Sequence, residues 1–248
     1  LAEVDWHLPF IVYLLPIISI FLSSYLREAS GTTKKISESN RTSAIVAGKQ
    51  SDTGDFINRK RLVQLMAFYG LCTYLVIIVS FNLPFLMEEY HFSSGNSGIM
   101  ISLFFLAIMT PGLFLNQIIG WWKQRTEFYS LLCIAVGLGL IILSRSEWWI
   151  GSGCLFAGFG YGVIQPVVYD KTTRTASSRK VTLALAFVMA MNYLAILLCP
   201  FIIDWAGFIF RVHTQQFAFI FNLVVTVLAA GWAYWKRNSF VFSENTEE

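Results

Sequence analysis

The chain has 248 residues, of which 56% are hydrophobic and 13% charged, and its mean hydropathy is +0.59. A soluble domain carries roughly 25% charged residues, so a chain this poor in charge, with its apolar residues in long runs, is not an ordinary soluble domain. The net charge of +3 is small and points to no nucleic-acid partner. The four cysteines (Cys72, Cys133, Cys154 and Cys199) all lie inside apolar runs and read as small buried hydrophobes rather than as disulfide or metal partners.

A helix crosses about 30 Å of hydrocarbon in roughly 20 residues, because each backbone polar group must be satisfied within the segment. Seven stretches meet that requirement. The first is Leu8–Leu26, and residues 1–26 form the first unit of the chain. No initiator Met and no cleavable signal pattern precede it, so the sequence reads as a piece of a longer chain. Residues 27–61 follow, rich in Ser, Thr, Lys, Asn and Gly, and read as a polar linker. The remaining spans are Leu62–Leu86, Gly98–Gly120, Phe128–Ser144, Trp148–Tyr169, Val181–Ile203 and Phe217–Trp235, which place a six-helix bundle over residues 62–237. A short polar tail, 238–248, closes the chain. The fold class is therefore all-α, a polytopic membrane bundle of seven transmembrane helices.

Lys and Arg are enriched in the short loops on the cytoplasmic side. Sixteen of the eighteen lie in the segments after the first, third, fifth and seventh spans, and only Arg145 and Arg211 fall on the other side. The eight tryptophans all sit at span edges, where headgroups favour them. Both patterns put the N-terminus of this chain outside and its C-terminus in the cytoplasm, in a plasma (inner) membrane.

No charged residue falls near the middle of any span, while Asp170 and Asp204 lie at span ends. Uncharged polar groups do occur at depth. Asn192 and Tyr193 lie near the centre of the sixth span and Tyr74 near the centre of the second, with Asn82 further along it. In the fifth span Tyr161, Gln165 and Tyr169 share one helical face. An amide or phenol facing lipid lacks a partner, so these faces turn toward other helices or a watery cavity. Gly158 and Gly162 fit a small-xxx-small contact face, and all six prolines lie within spans, where they favour kinks. There is no phosphate loop, no paired histidine motif and no Gly-x-Ser-x-Gly, so the chain is read as a non-enzyme without a cofactor or metal.

The stretch LPFLMEEYHFSSGNSGIMISLFFLAIMTPGLFLNQIIG (83–120) resembles the seventh and eighth helices of major facilitator superfamily transporters. GFGYGVIQPVVYD (158–170) is similar to that family's tenth helix, AMNYLAILLCPFI (190–202) to its eleventh, and WHLPFIVYLLP (6–16) to its sixth. The resemblance implies helices six to twelve, that is the C-terminal six-helix half preceded by one helix. Of the family's charged loop motif, expected near residues 116–125, only the basic Lys123 and Arg125 remain. The resemblance further implies a secondary transporter, export being one direction open to it, whose two halves rock about a central site. On that reading Tyr74, Asn82, Tyr161, Asn192 and Tyr193 line the cavity for an amphipathic organic solute. The partners are the lipid bilayer, that small molecule and the missing N-terminal half. The alternative is a seven-helix receptor, which shares this topology; the long linker after the first span and the absence of Asp-Arg-Tyr and Asn-Pro-x-x-Tyr signatures weigh against it.

Overall fold

The structure, a computed structural model, describes residues 57–122, 125–143, 145–212 and 214–235, all within one compact unit, Asp55–Glu248. The first sequence-assigned span, most of the linker and the tail lie outside the described residues. Six helices follow in order: α1 (Arg59–Glu89), α2 (Ser94–Trp122), α3 (Thr126–Leu143), α4 (Glu147–Thr173), α5 (Val181–Phe210) and α6 (Gln215–Trp235). All six are long and apolar enough to cross a membrane. They coincide with the last six spans read from sequence, though several run further. Arg59, Lys60 and Arg61, assigned to the linker from sequence, form the first turn of α1, with the Asn58 side chain accepting from the Arg61 N–H at 3.2 Å. Helix α5 continues through Asp204 to Phe210 and closes at Arg211 in the left-handed region, φ 53°. A helix of 30 residues spans about 45 Å, more than the hydrocarbon is thick, so its end need not coincide with the loss of hydrophobicity. Helix α2 is interrupted at Phe114 (φ −122°, ψ 18°), shortly after Pro111 and Gly112.

The alternating traverse gives the unit two ends. The starts of α1, α3 and α5 and the ends of α2, α4 and α6 form a basic end, carrying Arg59, Lys60, Arg61, Arg125, Lys171, Arg174, Arg179 and Lys180. The opposite end carries Glu88, Glu89, Glu147 and Asp204 with Arg145 and Arg211. Trp121 and Trp235 at the basic end and Trp148 at the other are almost fully exposed, as suits a headgroup boundary.

Helices α1 and α4 occupy the middle. Each packs on the other, on α2 and on α5, while α3 and α6 pack together along one side. Exchanging α1 with α4, α2 with α5 and α3 with α6 maps every substantial helix–helix contact of the unit onto another. Each set of three helices crosses an odd number of times, so the second set necessarily runs opposite to the first. The unit is thus a pair of inverted three-helix repeats.

Between lipid-embedded helices there is no hydrophobic driving force, and close backbone approach takes its place. On α4 two glycine faces supply it. A Cβ added at Gly158 would lie 2.4 Å from the Phe104 carbonyl oxygen of α2, and one at Gly162 would lie 2.3 Å from that of Ile108. These are the two residues the sequence singled out as a small-xxx-small pair. On the other face, a Cβ at Gly160 would lie 2.5 Å from the Ser130 carbonyl oxygen of α3, and Gly153 of α4 abuts Gly137 of α3. Any side chain at these positions drives backbones apart. We therefore expect Gly162→Leu to destabilise the bundle by about 1–3 kcal/mol or more, whereas Gly139→Ala, with nothing within 4 Å, should leave stability unchanged. Melting curves of the detergent-solubilised variants, followed by size-exclusion chromatography, check this; equal melting of the two variants would refute the packing account.

Candidate functional site

Where α1, α4 and α5 meet near mid-depth, their polar side chains join into one network. The Asn192 amide oxygen accepts from the Thr73 hydroxyl at 2.7 Å and from the Tyr161 hydroxyl at 3.1 Å. Thr73 and Tyr161 lie 2.9 Å apart, oxygen to oxygen. Tyr161 is 3.2 Å from the Tyr69 hydroxyl, which is 3.2 Å from that of Tyr169. The rings reinforce this order. Tyr69 stacks on Tyr161 with centroids 6.1 Å apart and planes within 6°, and meets Tyr169 edge-on at 5.7 Å.

Helical spacing explains the convergence. Tyr69 and Thr73 are one i,i+4 step apart on α1, and Tyr161 and Tyr169 are two such steps apart on α4, so each helix presents a single stripe to the other. Gly70 permits α5 to come close: a Cβ there would meet the Met191 side chain at 3.0 Å. Tyr69 and Thr73 are buried, whereas Tyr161, Tyr169 and Asn192 are half-buried. The network therefore begins in the packed interior and opens at the edge where α5 lies. The Tyr161 hydroxyl is placed to donate to either the Asn192 amide oxygen or the Tyr69 hydroxyl, and Thr73 donates to the same Asn192 oxygen. In that arrangement the Asn192 NH2 group has no hydrogen-bond partner among the described residues. Every member is uncharged, so the site can hydrogen-bond and stack.

Of the five sequence candidates the network takes in two, Tyr161 and Asn192. Tyr193, one residue on, is turned about 100° around α5 and is 69% exposed, away from the network. Tyr74 is buried on another face of α1, its hydroxyl near Asn222 of α6 but without a hydrogen bond. Asn82 lies toward the opposite end, where its amide donates to Gln215 at 3.4 Å. Three members were not among the candidates: Tyr69, Thr73 and Tyr169. For Tyr169 the available signal was its i,i+8 spacing to Tyr161, whereas Tyr69 and Thr73, one i,i+4 step apart, stand at no such spacing from Tyr74 or Asn82.

A second polar feature escaped the sequence reading. Lys171 in the last turn of α4 pairs with Glu127 in the first turn of α3, and both are buried. Each falls just outside the spans drawn from sequence, which start at Phe128 and stop at Tyr169. Arg125, the remnant of the loop motif, lies over the Tyr234 ring at 5.7 Å; Lys123 is outside the described residues. Among the described residues no group of three His, Cys, Asp or Glu side chains is placed to hold a metal ion.

The described helices thus form an apolar six-helix unit of inverted repeats, with a neutral polar network between its central helices. The sequence matches the Major Facilitator Superfamily over residues 1–200. The chain belongs to that superfamily. It is accordingly a multi-pass membrane protein of a transporter family, which is not a family of enzymes. A comparison with curated proteins returns no match.

In this transporter the Glu127–Lys171 pair ties α3 to α4 at the basic end. Removing one partner of a buried pair strands the other charge, at a cost of about 3–5 kcal/mol, while replacing both with apolar residues is often neutral. Glu127→Leu and Lys171→Met should each lower the detergent melting temperature sharply, and the double variant should recover most of the loss. A double variant as unstable as the sum of the singles would show that the pair is not what holds these ends together.

Proposed function

We propose that the chain carries out its family's secondary active transport on a small, amphipathic organic solute, and that the Asn192–Thr73–Tyr161 network forms the wall of the solute cavity contributed by these helices. The observation that carries this reading is the network's half-open position at mid-depth. Asn192 and Tyr161 retain accessible surface there, on helices otherwise apolar. An amide and a phenol turned to hydrocarbon would go unsatisfied at a cost of several kcal/mol, so water or a solute must occupy the space beside them. Tyr69 and Tyr161 supply aromatic surface, and the Asn192 NH2 supplies a donor for a carbonyl or ether oxygen.

On this reading the six described helices are the C-terminal half of the transporter. The partner is a second six-helix bundle, of which the first sequence-assigned span is the last helix. Helices α2 and α5 support it: both flank the central pair and bury little of their surface, leaving Phe187, Leu194, Leu197, Phe201 and Trp205 of α5 exposed. Covering this side would close the cavity over the network and let the two bundles rock about it. The excess of Lys and Arg at the basic end supports a cytoplasmic position for that end in the plasma (inner) membrane.

Uptake and efflux of a panel of labelled amphipathic solutes test the proposal, comparing cells expressing this chain alone with cells in which it is joined to the missing upstream helices. Transport is expected only in the joined form. Within that form Asn192→Leu should reduce transport by about tenfold or more, as expected for lost hydrogen bonds to a site and its solute, with surface expression unchanged. Tyr161→Phe should have a smaller effect, and Tyr193→Phe none. Parallel loss of expression and transport in Asn192→Leu would assign the residue to packing instead.

A further inference from the structure

At the basic end the chain enters α1 along a short antiparallel contact. Ile57 and Ala176 form a β-bridge, and the Asn58 N–H donates to the Thr175 carbonyl at 2.9 Å. This contact pins the start of α1 against the α4–α5 loop, two segments more than a hundred residues apart in sequence. Its consequence is electrostatic. Arg59, Lys60 and Arg61 follow the bridge on one strand, and Arg174, Arg179 and Lys180 surround it on the other. All except the half-buried Lys180 are exposed. Among the described residues the acids at this end are Asp170, which pairs with Arg174 at 2.8 Å, and Glu127, which is engaged inside the bundle by Lys171. Counted over the described residues, basic side chains outnumber acidic ones here, with Arg59, Lys60 and Arg179 exposed, and nothing comparable stands at the opposite end.

We propose that this bridged junction binds the headgroups of anionic phospholipids in the leaflet at the basic end. The level is right, because the starts of α1 and α5 and the end of α4 meet here, and Trp122 and Trp232 mark the same boundary. The charge is complementary: clustered Lys and Arg beside a membrane helix attract an anionic leaflet by roughly 1 kcal/mol each, or about fivefold in partition. The linker is a poor rival occupant, since residues 27–56 hold five basic and four acidic side chains. The tail is a closer rival, with Glu244, Glu247 and Glu248 near its end. It can supply only one local anionic segment, however, whereas an anionic leaflet presents headgroups to the whole surface.

Electron spin resonance on the full chain in phosphatidylcholine bilayers, with spin-labelled phosphatidylglycerol and phosphatidylcholine, reads the preference directly. The wild type should select phosphatidylglycerol at low salt, and sodium chloride should weaken the selection by screening. The triple variant Arg59→Gln/Lys60→Gln/Arg179→Gln should bring it close to no preference, while Arg211→Gln at the opposite end should leave it unchanged. No preference in the wild type, or the same preference in the triple variant, would overturn the proposal. Inorganic phosphate should weaken the selection no more than chloride does at equal ionic strength; stronger displacement would reveal a free-anion site instead. Deleting residues 244–248 should change nothing, and a rise in selection on deletion would identify the tail as the occupant.

Discussion

Close approach of α4 to its two neighbours organises the unit. In hydrocarbon, helices gain nothing from hiding apolar side chains from one another, so contact depends on how near two backbones can come and how much surface meets. The Gly158 and Gly162 face sets α2 against α4, and the Gly153 and Gly160 face sets α3 there. Helix α4 becomes a shared wall, and its polar stripe is turned toward α1. The symmetry-related contacts of α1 are built differently. There the near approach to α5 passes through Gly70 and the flexible Met191 side chain, and large residues such as Leu75, Ile78 and Leu83 fill the rest. The two repeats thus share a topology without sharing a packing chemistry, one relying on backbone contact and the other on side-chain volume.

That difference bears on the site. The α4 side of the network is held by contacts that cannot relax without moving backbone, so Tyr161 and Tyr169 are fixed from behind. The α5 side rests chiefly against α1, across a joint that includes the Met191 thioether beside Gly70, a side chain able to change rotamer. Asn192 therefore sits on the more adjustable helix and Tyr161 on the more constrained one. Additional ties fasten the opposite end, where Arg145 covers the Tyr90 ring at 5.4 Å, Gln216 donates to the Tyr90 hydroxyl, and Asn96 donates to Glu147. None of these three contacts involves α5.

How far the sequence reveals this depends on the scale considered. The six described helices follow from hydropathy alone, because the backbone constraint in a bilayer is severe enough to override propensity. The Gly158/Gly162 contact was legible too, since its spacing is a property of one helix. What sequence could not supply was the phase of each helix relative to the others. Thr73 and Tyr74 are adjacent, as are Asn192 and Tyr193, and an angular step of about 100° sends one member of each pair into the network and the other elsewhere. Hydropathy does not encode that angle; only the packing of α1 against α4 and α5 chooses. The Glu127–Lys171 pair was hidden for a different reason. Charge itself marks the limit of a span in a hydropathy reading, so charges that are buried at helix ends are assigned to loops.

The placement of those charges follows from electrostatics. Glu127 lies in the first turn of α3 and Lys171 in the last turn of α4, where the helix dipoles favour a negative and a positive side chain respectively. The antiparallel packing of α3 and α4 brings these two ends together, so the dipoles and the ion pair act in the same sense. The same pair at the level of Asn192 would meet no helix terminus, and its desolvation would go largely uncompensated. Hydroxyls and an amide bear a much smaller penalty there, provided they satisfy one another. The unit accordingly keeps its buried charge at the boundary and its neutral polarity at depth.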